Sequence, residues 1–270
     1  DAGIHVSEET KDASLQLPRA MMISAVLNGI LGVAMLITFC FCITDLEEQV
    51  LNAQTDYPII DILYSVTKSK AGTCVLVSLL IYLNFIGCVG VVVASSRQLW
   101  AFSRDNGVPF SAKIKIVSPK WKIPMNSLYV CFAISVILTA TNFGSDMAFT
   151  IIVNVSNAFS LFSYTISIGC IRLKRLRGEP LLPRRWSLGK YGGIINDISL
   201  AWLVLGFIFS FFPMAPYSGS SGWWKESANY SFIIFLVACF AAFIYHWKMP
   251  QGEKRYVPPV FLIRNNQAFS

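Results

Sequence analysis

Six apolar stretches separated by polar segments set the pattern of this chain. The clearest stretch, from Thr73 to Ser96, contains no Asp, Glu, Lys, Arg or His. At about 1.5 Å per residue, a helix of this length crosses a hydrocarbon core of about 30 Å. We expect this helix to continue out of the membrane and to end at Asn106-Gly107. The pattern predicts an all-α membrane protein with transmembrane helices at about residues 20–43, 73–103, 123–141, 147–171, 198–212 and 230–247.

Polar segments lie at both ends and between the spans. Residues 1–19 form a polar opening that ends at Pro18-Arg19, and residues 248–270 form a polar tail. Between the first two spans, Tyr57 to Tyr64 is amphipathic and predicts a short helix. We predict that this segment lies at the membrane surface or closes a vestibule.

The composition agrees with lipid as the solvent. The 270 residues are 54% hydrophobic and 14% charged, whereas soluble domains carry about 25% charged residues. The net charge of +7 does not indicate nucleic-acid binding, because the basic residues lie in short loops between apolar spans.

The distribution of lysine and arginine predicts the orientation. With six spans, both ends of the chain lie on the same side of the membrane. That side holds all 22 lysines and arginines except Lys68, Lys70 and Lys225. Because cytosolic loops carry the excess of positive charge, both ends are expected in the cytosol.

The sequence offers no catalytic set. There is no Ser/His/Asp arrangement, no pair of carboxylates and no phosphate-binding loop, so we expect no enzyme. His5, Glu8 and Glu9 have a spacing that a metal ion could use, but there is no HExxH motif and His246 is far away in sequence. We therefore expect neither a metal nor a cofactor.

Neutral polar residues mark two of the spans. In the fourth span, Asn157, Ser160 and Tyr164 fall on one stripe of a helix, and in the second, Tyr82 and Asn84 interrupt a run of Leu, Ile and Val. Such residues line a water-filled substrate path, or they form hydrogen bonds with neighbouring helices. The residues alone leave both interpretations open.

Several segments resemble one family. The opening DAGIHVSEETKDASLQLPRAM resembles the cytosolic segment after the broken sixth helix of amino acid permeases of the amino acid–polyamine–organocation superfamily. ASSRQLWAFSRDNGVPFS resembles the inner end of their eighth helix. LKRLRGEPLLPRRWSLGKYGGIIND, then FSFFP and YVPP, are most similar to the fungal amino acid/choline permeases, which include choline and GABA permeases. The resemblance extends from Asp1 to about Pro259.

The resemblance implies a five-plus-five inverted-repeat fold, like that of the leucine transporter, in which two broken helices form the substrate site at mid-membrane. The six spans would then be the seventh to twelfth helices, and the chain would be the C-terminal portion of the permease. The first repeat and the broken sixth helix would lie outside it.

The resemblance also implies roles for individual residues. The second and fourth spans would flank the central path, which makes Tyr82, Asn84, Asn157, Ser160 and Tyr164 candidate path-lining residues. The segment Tyr57 to Tyr64 would cover the outer vestibule. At the cytosolic face, Glu8 and Glu9 are expected to pair with basic residues as part of an inner gate. The candidates on the basic side include Arg97 and Arg104.

The predicted function is that of a secondary active permease. Its expected substrate is a small nitrogenous solute, either an amino acid, GABA or choline, and the family implies coupling to H+. The alternative is a non-transporting membrane subunit or a truncated product that packs against a partner.

Overall fold

The computed structural model describes residues 2–5, 7, 10–51, 57–181, 185–213 and 229–248. Within these ranges the secondary structure is helical, without strands. The α-helices are α1 (Ala2–His5), α2 (Ala13–Cys42), α3 (Pro58–Thr67), α4 (Lys70–Arg104), α5 (Ser111–Ile114), α6 (Met125–Ala140), α7 (Asp146–Leu176), α8 (Gly192–Phe209) and α9 (Ser231–Lys248).

In the described part of the chain, six helical segments are long and apolar enough to cross a membrane. They correspond to α2, α4, α6, α7, α8 and α9, the last turn of α6 being extended by a short 3-10 helix (Thr141–Phe143). The predicted all-α membrane class is confirmed. The segment predicted as a short amphipathic helix is α3, with Pro58 in its first turn.

α2 begins earlier than the apolar pattern indicates. Asp12 adopts a left-handed conformation (φ 54°) and accepts the first hydrogen bonds of the helix, from the backbone N–H groups of Leu15 and Gln16 at 3.1 Å. Pro18 therefore lies inside α2, in its second turn. A proline at this position leaves the carbonyl four residues earlier without its helical hydrogen bond, and its ring crowds that carbonyl.

α4 ends as the sequence predicts. Asn106 is left-handed (φ 58°), its N–H bonds to the carbonyl of Ser103, and the N–H of Gly107 bonds to the carbonyl of Phe102 at 2.9 Å. This is the Schellman arrangement that closes many helices. A Cβ at position 107 would lie 2.2 Å from the Phe102 ring, so a larger residue there would force that ring to move.

α8 begins at Gly192, about two turns before the apolar run suggests. Asp197 lies in the added part and forms a two-pronged ion pair with Arg172 of α7, in which Nη2 and Oδ2 are 2.8 Å apart. The pairing satisfies a carboxylate inside a helix that otherwise enters the membrane.

The chain divides into two compact units, Asp1–Gln98 and Leu99–Ser270. In the first, α3 contacts α2, and Ile62 of α3 is buried. The hydroxyls of Thr67 and Thr73 lie 2.9 Å apart and join the end of α3 to the start of α4. α2 itself has no buried residue.

In the second unit, α7 packs against α8 and α9 through phenylalanine rings. Phe235 of α9 is buried at their centre, 4.7 Å from Phe159 and 5.5 Å from Phe162, measured between ring centroids. Such ring contacts add about 0.5–1.5 kcal/mol each beyond area burial. We call this the aromatic cluster; its members are Phe159, Phe162, Phe207, Phe211, Phe232 and Phe235.

Candidate functional site

α7 presents two different faces. On one face Ala158 is completely buried and Ile151 is nearly so, and Phe162 stacks on Phe207 of α8 at 5.6 Å between ring centroids. Thr165, one turn further on, is half-buried and donates its hydroxyl to the carbonyl of Leu161 at 2.7 Å. This face is fixed by its packing on α8 and α9.

The other face carries the predicted polar stripe. Asn157, Ser160 and Tyr164 are all exposed, and at 100° per residue they fall within an arc of about 60°. Ser160 donates its hydroxyl to the carbonyl of Ser156 at 3.1 Å. Asn157 and Tyr164 make no hydrogen bond within the described part of the chain.

The Asn157 amide and the Tyr164 phenol lie, without hydrogen-bond partners in the described chain, on a helix that is long and apolar enough to cross a membrane. Hydrocarbon offers no hydrogen bonds, and leaving such a group unsatisfied there costs several kcal/mol, on the order of 2–7. Asn157 and Tyr164 therefore require water, a solute or another helix beside them. The stripe lies opposite the face that α8 and α9 cover, so those helices do not supply the partner.

The predicted residues of α4 separate in space. Tyr82 and Asn84 are both exposed, but two residues apart on a helix they project about 200° from each other. Asn84 donates its amide to the carbonyl of Leu80 at 2.9 Å, within its own helix. One surface of α4 can present Tyr82 or Asn84 to a common path, but not both.

The predicted gate residues fall in different parts of the structure. Glu8 and Glu9 lie outside the described residues. Arg97 is half-buried and belongs to the first unit, whereas Arg104 belongs to the second. The Arg104 guanidinium lies over the Trp100 ring, 5.1 Å from its centroid, and 3.8 Å from the Asp105 carboxylate.

Two polar contacts escaped the sequence analysis. The Arg172–Asp197 pair joins α7 to α8, but its partners are 25 positions apart and nothing in the sequence signals them. Asn229 donates its amide to the carbonyls of Ser210 and Phe212, at 3.0 and 2.9 Å. Its Oδ1 accepts from the N–H of Ser231, the first residue of α9. An Asn just before an apolar run is a known helix-start signal and would have indicated this contact.

No cluster of three or more His, Cys, Asp or Glu side chains is close enough to hold a metal ion among the described residues. His5 lies in α1, but the two acids considered with it are Glu8 and Glu9, outside those residues. Polar chemistry in the described spans is thus that of neutral amides and hydroxyls, with charges at the helix ends.

Comparison with known proteins finds one matching family model and several related transporters. A family model described as amino acid permease matches residues 1–239. A protein of Macrophomina phaseolina named as an amino acid/polyamine transporter is 30% identical over 236 residues, which cover 86% of this chain and 52% of that protein. The choline transporter of Saccharomyces cerevisiae is 29% identical, covering 95% of this chain and 44% of its own length. A thiamine transporter of Schizosaccharomyces pombe is 32% identical, covering 87% and 39%.

No solved structure is significantly similar to the chain. The chain spans about half, or less, of the length of the curated relatives it matches. The resemblance to fungal amino acid, choline and GABA permeases is confirmed by these matches. Because the match to the family model covers most of the sequence, the chain belongs to the amino acid permease family.

Proposed function

We propose that this chain forms the C-terminal portion of a secondary transporter that moves a small nitrogenous solute across a membrane. The proposal includes a five-plus-five inverted-repeat fold for the complete protein, with both ends of this chain in the cytosol and the plasma membrane as its location. Transport proceeds by alternating access, in which one helical bundle rocks against the rest around a central site.

The observation that carries the proposal is the two-faced α7 of a permease-family chain. One face is buried against α8 and α9, and the other exposes Asn157 and Tyr164 without partners in the described chain. A path for a polar solute supplies those partners as water or as the solute itself. Neutral donors and acceptors bind amino and hydroxyl groups without the desolvation cost of a buried charge.

α4 supplies the second wall of the proposed path. Tyr82 is the better candidate, because its hydroxyl has no hydrogen bond in the described chain, whereas the Asn84 amide is already bonded to the Leu80 carbonyl. The amphipathic helix α3 acts as the lid over the outer vestibule. Glu8 and Glu9 pair with Arg97 or Arg104 as the inner gate.

The solute is proposed as an amino acid, GABA or choline, and the coupling ion as H+. Relatives of this chain are named as transporters of amino acids or polyamines, of choline and of thiamine, and each of these solutes contains a basic or quaternary nitrogen. Uptake by the full-length protein in permease-deficient yeast, measured with labelled choline, GABA, thiamine and amino acids, tests the solute. Abolition of that uptake by a protonophore supports coupling to H+. No uptake of any solute despite surface expression would favour the non-transporting alternative.

A matched pair of substitutions tests the path itself. Tyr164→Phe and Thr165→Val each remove one hydroxyl from adjacent positions of α7, but Tyr164 lies on the exposed face and Thr165 on the packed side. We expect Tyr164→Phe to reduce uptake about tenfold, the effect of roughly 1.4 kcal/mol of lost hydrogen bonding. Thr165→Val should leave uptake within about twofold. Equal effects of the two changes would refute a path along this face.

The gate is tested at the cytosolic face. Arg104→Gln removes the charge held over Trp100, and Arg177→Gln is the control, because Arg177 lies exposed after α7. A gate predicts altered uptake for Arg104→Gln and for Glu8→Gln, with normal uptake for Arg177→Gln. Unchanged uptake in all three variants at normal surface expression would contradict a gating role for these residues.

A further inference from the structure

A second polar–apolar boundary lies outside the substrate path, at the inner end of α4. After the Schellman turn the chain reverses through Pro109 and Phe110 into α5, and then runs to α6. Trp100 donates its indole N–H to the carbonyl of Lys115 at 3.1 Å, and Asn126 donates its amide to the carbonyl of Lys113 at 2.7 Å. Side chains of α4 and α6 thus fix the backbone of this connection.

The fixed connection leaves an open groove of about 730 Å³ between α4, α5 and α6. We call it the α5 groove. Its walls are mostly apolar, and the polar side-chain groups in its lining belong to Lys113, Asn126 and Tyr129. From Asn126 to Ile134 it follows α6 for about 12 Å, toward the membrane interior. Its apolar lining includes Leu99, Val108, Pro109, Tyr129, Val130 and Ile134.

α5 and the connection that follows it are strongly basic, and Lys113 lines the groove itself. Lys113, Lys115, Lys120 and Lys122 are all exposed, and Asp105 is the sole acidic residue between positions 99 and 145. Asp105 lies 3.8 Å from Arg104 and so already has a cation beside it. Within the described chain none of the four lysines forms a salt bridge. Four positive charges therefore stand beside an apolar groove without protein counter-charges.

Exposed aromatic side chains occur in the groove lining, at Phe110, and in the basic connection after α5, at Trp121. Phe110 is 78% exposed and Trp121 is 64% exposed, with the Lys120 ammonium 5.4 Å from the Trp121 ring centroid. Exposed aromatic rings among lysines are typical of segments that lie in the headgroup region of a membrane.

We propose that the α5 groove binds one anionic phospholipid. The headgroup phosphate lies against Lys113 and its neighbouring lysines, and one acyl chain lies along Val130 and Ile134. Basic pockets between transmembrane helices bind anionic headgroups in this manner, and a lysine near the surface contributes about 1 kcal/mol. The site stands apart from the polar stripe of α7, so it does not depend on which solute is transported.

Native mass spectrometry of the full-length protein that carries this chain tests the proposal. The protein is exchanged into mixed micelles that contain equal amounts of phosphatidylserine and phosphatidylcholine with the same acyl chains. Wild type should retain one phosphatidylserine in preference to phosphatidylcholine. The variant Lys113→Gln/Lys122→Gln should lose this preference by about fivefold for each lysine removed. The control, Lys68→Gln/Lys70→Gln, removes the same charge between α3 and α4 and should retain it.

Filling the groove separates the acyl-chain contact from the charge. Val130→Trp should reduce retention of both lipids, and Ile134→Trp, two helical turns from the lysines, should do the same if Val130→Trp fails to fold. Equal retention of the two lipids by wild type would overturn the proposal, as would retention of phosphatidylserine by the Lys113→Gln/Lys122→Gln protein. The proposal would also be overturned if the filled-groove variants retained as much lipid as wild type. It would be overturned as well if wild type retained no lipid because another segment covers the groove.

Discussion

α2 and α7 have nearly the same length, 30 and 31 residues, and both are long and apolar enough to cross a membrane. α2 has no buried residue, and an added Cβ at Gly29 or Gly32 would meet nothing within 4 Å. α7 instead buries one face against α8 and α9 and exposes a polar face. A helix that is apolar all round needs only lipid or another apolar surface around it, whereas a two-faced helix is oriented by its packing.

The comparison indicates where function lies. Orientation of α7 is fixed by the aromatic cluster, so its polar residues are held at defined positions along about 10 Å of the span, from Asn157 to Tyr164. In the described part of the first unit, α2 contacts α3 and the short α1 but buries no residue against either. We therefore expect substitutions in the second unit to act on structure strongly, and equivalent changes on open surfaces to act weakly.

The largest expected effect is at the aromatic cluster. Phe235→Ala removes a ring that is 95% buried and contacts four other rings. The cavity should destabilise the protein by about 3–5 kcal/mol, seen as a lower midpoint of thermal unfolding in detergent. Phe240→Ala is the control on the same helix, because Phe240 is exposed. Similar midpoints for the two variants would break the distinction between packed and open faces.

A glycine pair sharpens the same distinction. An added Cβ at Gly206 of α8 would lie 3.4 Å from the Leu161 Cδ1 atom, whereas Gly32 of α2 has open space. Gly206→Leu should force α7 and α8 apart and cost about 1–3 kcal/mol. Gly32→Leu should be neutral when this chain is measured alone.

The same Gly32→Leu substitution in the full-length protein tests what covers α2. If the remainder of a permease packs on the glycine face, the change should lower thermal stability there while leaving the isolated chain unaffected. Neutrality in both contexts would show that this face of α2 meets lipid.

A smaller effect is expected at the ion pair that ties α7 to α8. Arg172 and Asp197 are partly exposed, so their coupling should be about 0.2–1 kcal/mol. A double-mutant cycle with Arg172→Gln and Asp197→Asn measures it through unfolding midpoints. The coupling should shrink in 1 M salt, where charges are screened over about 3 Å. A coupling that is zero at low salt would mean that the aromatic cluster alone joins the two helices.

Another local effect, at least as large as that of the ion pair, is expected just before α9, where Asn229 bonds to Ser231. Asn229→Ala removes the amide that bonds to the carbonyls of Ser210 and Phe212, and also the oxygen that accepts from the N–H of Ser231. The loss should be about 0.5–2 kcal/mol. Asn229→Asp keeps the acceptor and should recover part of it. If both variants unfold at the wild-type midpoint, these Asn229 contacts do not contribute to stability.

Much of the fold follows from local signals in the sequence. The charge-free run from Thr73 predicts α4, and Asn106-Gly107 predicts its end, because a left-handed residue and a missing Cβ are local requirements. The start of α8 could not be read in this way. Asp197 lies before the predicted span, which starts at about residue 198, and the structure places it inside α8, where it pairs with Arg172, distant in sequence.

The polar face of the candidate site could also be predicted from the sequence, but its packed face could not. Helical periodicity places Asn157, Ser160 and Tyr164 on one face, which the structure shows as the exposed face. The packed face could not be identified from composition, because a phenylalanine that faces lipid and one that packs against a helix are equally apolar. Only the positions of α7 and α8 beside α9 distinguish Phe235 from Phe240.

Cysteine accessibility along α7 tests most directly whether its polar face lines the substrate path. In a full-length protein without its native cysteines, Asn157→Cys, Ser160→Cys and Tyr164→Cys would be treated with a membrane-impermeant thiol reagent, with and without the transported solute. Ala158→Cys and Thr165→Cys are the controls on the packed side. The path predicts that the first three variants are labelled and are protected by the solute, while the controls stay unlabelled. Labelling of the controls as fast as the stripe, or no labelling of the stripe, would contradict the path.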